Sequence, residues 1–441
     1  PTTVSGTFTY RARVIDNGSG CATPVSGNIT FVVRDDATVT ISATFNEICV
    51  GGTTVLTAVI TGGSSSQSYQ WQSSSNNIDW GNIAGATGTS YLVPNTVPGT
   101  TYYRFILTDN LPDCSDPISN VLTIVIQPDA TVTVTPPSSE ICIGGSALLT
   151  ANITGGSSSL TIQWQVNGGS WANIPGATST TYAAPGNAVG TLLYRVMITD
   201  PGPDCSDPVS TSVSVVTKAD ATVSIAPSSL EVCVGGSALL TGTVTGGSSA
   251  LTMQWQSSPD GSTGWANIPG AITSTYSAPT TVDGTTYYRL VITDPFSDCA
   301  DPISNTATVV VKPDATVTVT PPVSNVCVGG SAPLTAVVTG GSSGYTIQWQ
   351  SSANPGGPFN NIGGANGTTY NPPTTVAGTT YYRVSITDNF SGCDDPFSIP
   401  VQVVVSPDLV VSSQPINVNE CVGGTNTMTV TTTGGSGTIT Y

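Results

Sequence analysis

Two kinds of residue in this 441-residue chain recur at intervals that could do chemistry: cysteines and carboxylates. The ten cysteines form two series. One is Cys21, Cys114, Cys205, Cys299 and Cys393; the other is Cys49, Cys142, Cys233, Cys327 and Cys421. Both advance by 93, 91, 94 and 94 residues. The chain has no His. That excludes Ser-His-Asp triads, imidazole acid/base chemistry and His-ligated metals. The cysteines lack metal-ligand spacing, so disulfides are the expected use. A carboxylate pair could in principle hydrolyse a glycoside, but here the acids recur in turns of every repeat, and an enzyme rarely copies its active site into each spacer. GGSSS follows a strand and precedes another strand, so it is no phosphate-binding loop and reads as a flexible hairpin loop. The expectation is a protein that is not an enzyme.

The elements that must position these residues follow from composition and period. Only 8% of residues are charged, and Gly (48) and Pro (32) are abundant. With much Thr, Ser and Val besides, this composition favours strands and tight turns over helices. The net charge of −17 argues against nucleic acid or an anionic membrane as partner. No apolar run is long enough for a membrane-spanning helix.

The string DATV stands at Asp36, Asp129, Asp220 and Asp314, with DLVV at Asp408, on the same steps as the cysteines. A period of about 93 residues suits one small β-domain. The expected domains are 36–128, 129–219, 220–313 and 314–407. Residues 1–35 match the end of a repeat and 408–441 its beginning, so a longer parent chain is expected. Within the first full repeat, seven period-two segments read as strands: ATVTISA, TTVLTAVIT, SYQWQSS, Trp80 to Ile83, TSYLV, TYYRFILTD and NVLTIVI. Seven short strands in this length describe a Greek-key β-sandwich, so the fold class is all-β.

Trp71, Trp164, Trp255 and Trp349 sit in QWQ on the third strand, and Tyr103, Tyr194, Tyr288 and Tyr382 open the sixth after Gly-Thr. These resemble the core Trp and tyrosine corner of immunoglobulin domains. WGNIAGATGTSY and ICVGG…GGSSS…QWQ…YYR..ITD…C.DP resemble bacterial immunoglobulin-like repeats, common in large secreted and surface proteins of Bacteroidota-type bacteria and often exported by the type IX system. The resemblance implies tandem immunoglobulin-like sandwiches strung end to end as a rod. The chain departs from the immunoglobulin pattern in one respect: Ala58 and Phe105 stand where those domains place their core disulfide. Ala151, Gly242 and Ala336 face Val196, Leu290 and Val384 in the other copies, so packing should close the core. A second aromatic series (Trp80, Trp171, Trp265, Phe359) is expected to pack near a sheet edge, with lateral contact or glycan stacking as rivals. Arg104, Arg195, Arg289 and Arg383 should point outward beside Gln72, Gln165, Gln256 and Gln350 as solvated cations.

On the immunoglobulin analogy, the first-to-second-strand turn lies at one end of a domain and the sixth-to-seventh hairpin at the other. Domains in series then gather acids at each junction. The first collects Glu47, Asp129, Asp200, Asp204 and Asp207; the second Glu140, Asp220, Asp294, Asp298 and Asp301; the third Glu231, Asp314, Asp388, Asp394 and Asp395. Of the 26 acids only Asp79, Asp260 and Asp283 fall outside such positions. Two readings stand: Asp as a turn former, or oxygen ligands for interdomain Ca²⁺. The same analogy puts Cys49 near the next domain's hairpin. It implies staples Cys49–Cys205, Cys142–Cys299 and Cys233–Cys393, with Cys21 and Cys114 pairing upstream and Cys327 and Cys421 downstream. Pairing inside a domain, as Cys49–Cys114, is the alternative.

The expected function is mechanical: an extracellular, cell-surface stalk of a long bacterial adhesin or fibre, contacting its own neighbouring repeats. Two alternatives are a self-assembling filament in which other copies of the chain are the partners, and a repeated carbohydrate-binding module.

Overall fold

In the first full repeat the chain forms eight strands. They are β1 (Thr38–Ala43), β2 (Glu47–Cys49), β3 (Val55–Thr61), β4 (Gln67–Ser74), β5 (Gly81–Asn82), β6 (Ser90–Leu92), β7 (Gly99–Asp109) and β8 (Leu122–Gln127). The structure is a computed structural model and describes every residue except Pro1, Thr2, Ser297 and Tyr441. It is all-β, with no helix among the described residues. The chain divides into two compact units, Pro1–Lys218 and Ala219–Tyr441. Each holds two full repeats and part of another.

The strands of a repeat make two sheets. One has the order β1-β3-β6 and the other β2-β8-β7-β4-β5. The same pair of sheets recurs in every full repeat. Alternation makes them: in β1, Val39 and Ile41 are buried while Thr38 and Thr40 face solvent. Seven strands were expected, and the eighth is β2. After β1 the chain leaves its sheet at Phe45 and joins the other. Buried Thr54 fixes this crossing: its Oγ1 accepts from the Phe45 amide at 3.1 Å and donates to the Phe45 carbonyl at 2.7 Å. Strand β2 then runs parallel to β8, with Glu47, Ile48 and Cys49 opposite Val125, Ile126 and Gln127.

The four QWQ tryptophans are fully buried. Trp71 packs edge-on against Phe105, ring centroids 4.9 Å apart, and its Nε1 donates to the Gly88 carbonyl at 2.9 Å. Trp164, Trp255 and Trp349 make the matching bond to Ser179, Thr273 and Gly367. The disulfide-free core closes by packing. Ala58, Phe105 and their counterparts are buried. In the third copy a Cβ on Gly242 would lie 2.3 Å from Leu290, so the larger Leu requires the smaller partner. Tyr103 is buried against Tyr91, and burial pushes its phenol up to about 12.

Trp71→Ala should cost its domain about 3–5 kcal/mol, the usual range for truncating a large buried aromatic. Denaturant melts of the isolated change check this. A loss below about 1 kcal/mol would contradict the core position of β4.

Candidate functional site

The recurring cysteines and acids meet where one repeat hands over to the next. Strand β8 leads out of the first repeat through Gln127 into the second. Because β2 lies parallel to β8, Cys49 stands at that exit end, opposite Gln127. In Pro1–Lys218 the Cys49 and Cys205 sulfurs are bonded, with Cα atoms 5.0 Å apart. In Ala219–Tyr441 Cys233 and Cys393 are bonded, with Cα atoms 4.8 Å apart. Both bonds join the β2 strand of one repeat to the last hairpin of the following repeat. Cys142 and Cys299 are each engaged in a disulfide as well. Cys21, Cys114, Cys327 and Cys421 are free thiols.

The backbone reinforces each staple. The Cys49 amide donates to the Pro203 carbonyl at 3.3 Å, and the Cys233 amide to the Ser391 carbonyl at 3.0 Å. A Cβ on Gly52 would lie 2.6 Å from the Pro203 carbonyl oxygen, and one on Gly236 would lie 2.3 Å from that of Ser391. Only Gly lets the two repeats approach this closely.

The GGSSS loop is pinned, where the sequence suggested a flexible hairpin. Gly155 and Gly156 take φ of +73° and +81°. The Ser157 amide and hydroxyl both donate to buried Asp200, at 2.7 and 2.5 Å. Ser158, next in the loop, reaches back to the preceding repeat: its amide donates to Glu47 at 3.1 Å and its hydroxyl to the same carboxylate at 2.5 Å. The second unit repeats the arrangement. Ser342 donates to Asp388, and Ser343 donates to Glu231 at 2.7 and 2.9 Å. Sequence reasoning missed these serines because a Gly-Ser stretch looks like a linker. The signal available was that Glu47, Glu140 and Glu231 recur in step with the loop.

The other junction acids have their own tasks. Asp207 accepts from the Asp200 amide at 2.7 Å and Asp129 from the Ser206 amide at 3.1 Å. Asp204 holds a left-handed turn position at φ 55°, where Gly392 stands in the fourth repeat. Asp395 accepts from the Asp388 amide, and Asp314 from the Asp394 amide. In the third repeat Asp294 accepts from Ser248, Asp301 from the Asp294 amide and Asp220 from the Ala300 amide, while Asp298 takes the left-handed turn at φ 58°. Glu140 pairs with Lys218 at 3.7 Å.

No three of these carboxylates converge to within 4.8 Å among the described residues; the groups found there join one Asp to two Cys. Disulfide sulfurs are not thiolate ligands. In this structure the junction acids serve as acceptors for loop donors. Burial alone would raise the Asp200 and Asp388 carboxyls, but the Ser157 and Ser342 hydroxyls and amides outweigh it and hold both below the ordinary 3.8. The Ser158 hydroxyl does the same for Glu47 against its burial.

The outward arginines are not simple solvated cations. Arg104 Nε donates to Gln72 Oε1 at 2.7 Å, and Gln72 Nε2 to Asn82 Oδ1 at 2.7 Å. The guanidinium carbon lies 4.3 Å from the Trp80 ring centroid. Arg195 over Trp171, Arg289 over Trp265 and Arg383 over Phe359 repeat the stack. Each such contact contributes about 0.5–1 kcal/mol at an exposed site, and it covers one face of the half-buried ring. A groove of about 470 Å³ in the second repeat, lined by Val166, Ile174, Pro185, Leu192 and Tyr194 among others, carries no carboxylate, amine or thiol.

The sequence profile of one family, described as "Domain of unknown function (DUF8696)", matches residues 37–128, 131–219, 222–313 and 317–407. No curated protein matches the chain. Among solved structures, three N-terminal domains of the bacteriophage RB49 Highly Immunogenic Outer Capsid protein are 16% identical, with a TM-score of 0.39, covering 62% of this chain and 99% of that one. The N-terminal four Ig domains of Dscam1 isoform 6.9 are 12% identical, with a TM-score of 0.28, covering 83% and 99%.

A carboxylate held below its ordinary range in the fold stabilises the fold above that range and loses this contribution as pH falls. Asp200, Asp388, Asp109 and Asp294 all shift this way. The melting temperature should hold from pH 7 to about 5 and drop steeply below about 4, as a calorimetric pH series would show. If the junction acids act only as acceptors, millimolar Ca²⁺ or EGTA should leave it unchanged at pH 7; a rise with Ca²⁺ would assign them a cation role.

Proposed function

The chain belongs to the DUF8696 family, four of whose domains fill most of it, and from that premise we propose that it is a non-catalytic structural protein, the load-carrying stalk of a bacterial surface adhesin or fibre. One observation carries this reading. In each unit a disulfide joins consecutive domains, so that the covalent path need not follow the polypeptide through the sandwich. The Glu47–Ser158 and Glu231–Ser343 contacts add lateral hydrogen bonds to the same junctions. Their disulfides suit an oxidising, extracellular compartment. A carbohydrate-binding reading loses much of its best surface, because a guanidinium already occupies one face of each second-series ring.

Pulling the chain from its ends in a force microscope tests this. While the staples are intact, the 156-residue separation from Cys49 to Cys205 and the 160-residue separation from Cys233 to Cys393 stay out of the extended path. Reduction should return them, at about 3.3–3.6 Å per residue. Equal contour lengths before and after reduction would contradict load transfer through the staples.

A further inference from the structure

The hydrogen bonds of the junction explain how Asp200 is held but not why it is set beside a disulfide. One Asp200 carboxylate oxygen and the sulfurs of Cys49 and Cys205 all lie within 4.8 Å of one another. Asp388, Cys233 and Cys393 repeat this in the other unit. The two residues of each staple differ in exposure. Cys49 and Cys233 are fully buried, whereas Cys205 and Cys393 are partly exposed. Of the two, Cys205 or Cys393 is the residue an external thiolate would meet.

The exchange step can be written from that asymmetry. The thiolate sulfur bonds to Cys205 Sγ, the Cys49–Cys205 bond breaks, and its electron pair goes to Cys49 Sγ, which later takes a proton from water. The leaving charge would develop at a buried sulfur beside an ionised carboxylate, and a poor leaving thiolate slows exchange. The incoming anion meets the same carboxylate on approach. Asp200 cannot readily turn away, because Ser157 donates to both of its oxygens and the Gly202 amide donates to Oδ1. Cys114, which occupies the same hairpin position as Cys205 but is a free thiol, reports this environment: burial first, then Asp109, Asp36 and Asp113, push its thiol up.

We propose that Asp200 and Asp388 are electrostatic guards of the interdomain disulfides, slowing their exchange with anionic thiols. This assigns a chemical task to acids that the hydrogen-bond network leaves at the staple. It rests on the staples themselves and not on the stalk reading.

The test uses the oxidised full chain and three thiols of different tail charge: mercaptoacetate, 2-mercaptoethanol and cysteamine. The mixed disulfide formed on Cys205 or Cys393, and the Cys49 or Cys233 thiol released with it, are read by alkylation and peptide mass mapping. Each rate is divided by that thiol's rate on a small uncharged disulfide, which removes its intrinsic reactivity. Cysteamine should exceed mercaptoacetate by about tenfold at low ionic strength. The gap should close to about twofold in 1 M salt, where the screening length is about 3 Å. Asp200→Asn should speed mercaptoacetate attack at Cys205 several-fold and shrink the charge preference there. Cys393 in the same molecule should keep it, and Asp79→Asn, which removes an equal charge away from the junction, should change neither. An unmodified chain without charge preference overturns the proposal. So does a folded Asp200→Asn chain whose Cys205 rate and preference are unchanged. Asp388→Asn, read at Cys393, decides the matter if Asp200→Asn does not fold.

Discussion

The parallel pairing of Glu47–Cys49 with Val125–Gln127 is the constraint from which the junctions follow. A parallel strand shares its direction with the strand it joins. The last strand of a domain points toward the next domain, so its parallel neighbour must end there too. That places a cysteine and, two residues earlier, a glutamate at the exit of the sandwich. Had the chain stayed in its first sheet after Phe45, Cys49 would not stand opposite Gln127. The two hydrogen bonds of Thr54 to Phe45 are small in themselves, but they hold the crossing on which this placement depends.

Once Cys49 stands at the exit, the junction is built from both sides. The following domain offers a pinned loop and a hairpin, and the loop divides its serines between two tasks. Ser157 secures the loop to Asp200 within its own domain, and Ser158 holds Glu47 of the preceding one. Chain entropy grows only slowly with loop length, so a 156-residue separation adds little over a shorter one in the unfolded ensemble. The staple matters more as a covalent tie between two domains that each have their own core. Its neighbouring carboxylate is costly to desolvate, and the Ser157 donors offset that cost.

Much of this was legible in the residues. The QWQ series and the Gly-Thr-Tyr series mark buried positions because large aromatics at strand spacing have few other places to go. The staples Cys49–Cys205 and Cys233–Cys393 could be expected because the immunoglobulin analogy puts the two turns at opposite ends of a sandwich, farther apart than a disulfide spans. Strand β2 could not be read: three residues between Phe45 and the Gly51–Gly52 turn are too short to show a period. The acids were found, and Asp204 and Asp298 do form turns, but the acceptor role of the others was not read, since turn-forming, cation-binding and acceptor roles draw on the same residue type. What distinguishes them is the donor, and the donors are serines in a loop that resembles a linker. Arg104 was correctly placed outward, yet its stack on Trp80 depends on how the β4–β5 hairpin folds back, which spacing alone does not reveal.

The central claim is that within each unit the first full domain is covalently tied to the second through the strand that crosses between sheets. Peptide mapping of the oxidised chain under non-reducing conditions addresses it most directly. The account requires linked peptides containing Cys49 with Cys205 and Cys233 with Cys393. A Cys49–Cys114 peptide would contradict it, because that bond would close within one domain and would place the end of β2 against the wrong end of the sandwich.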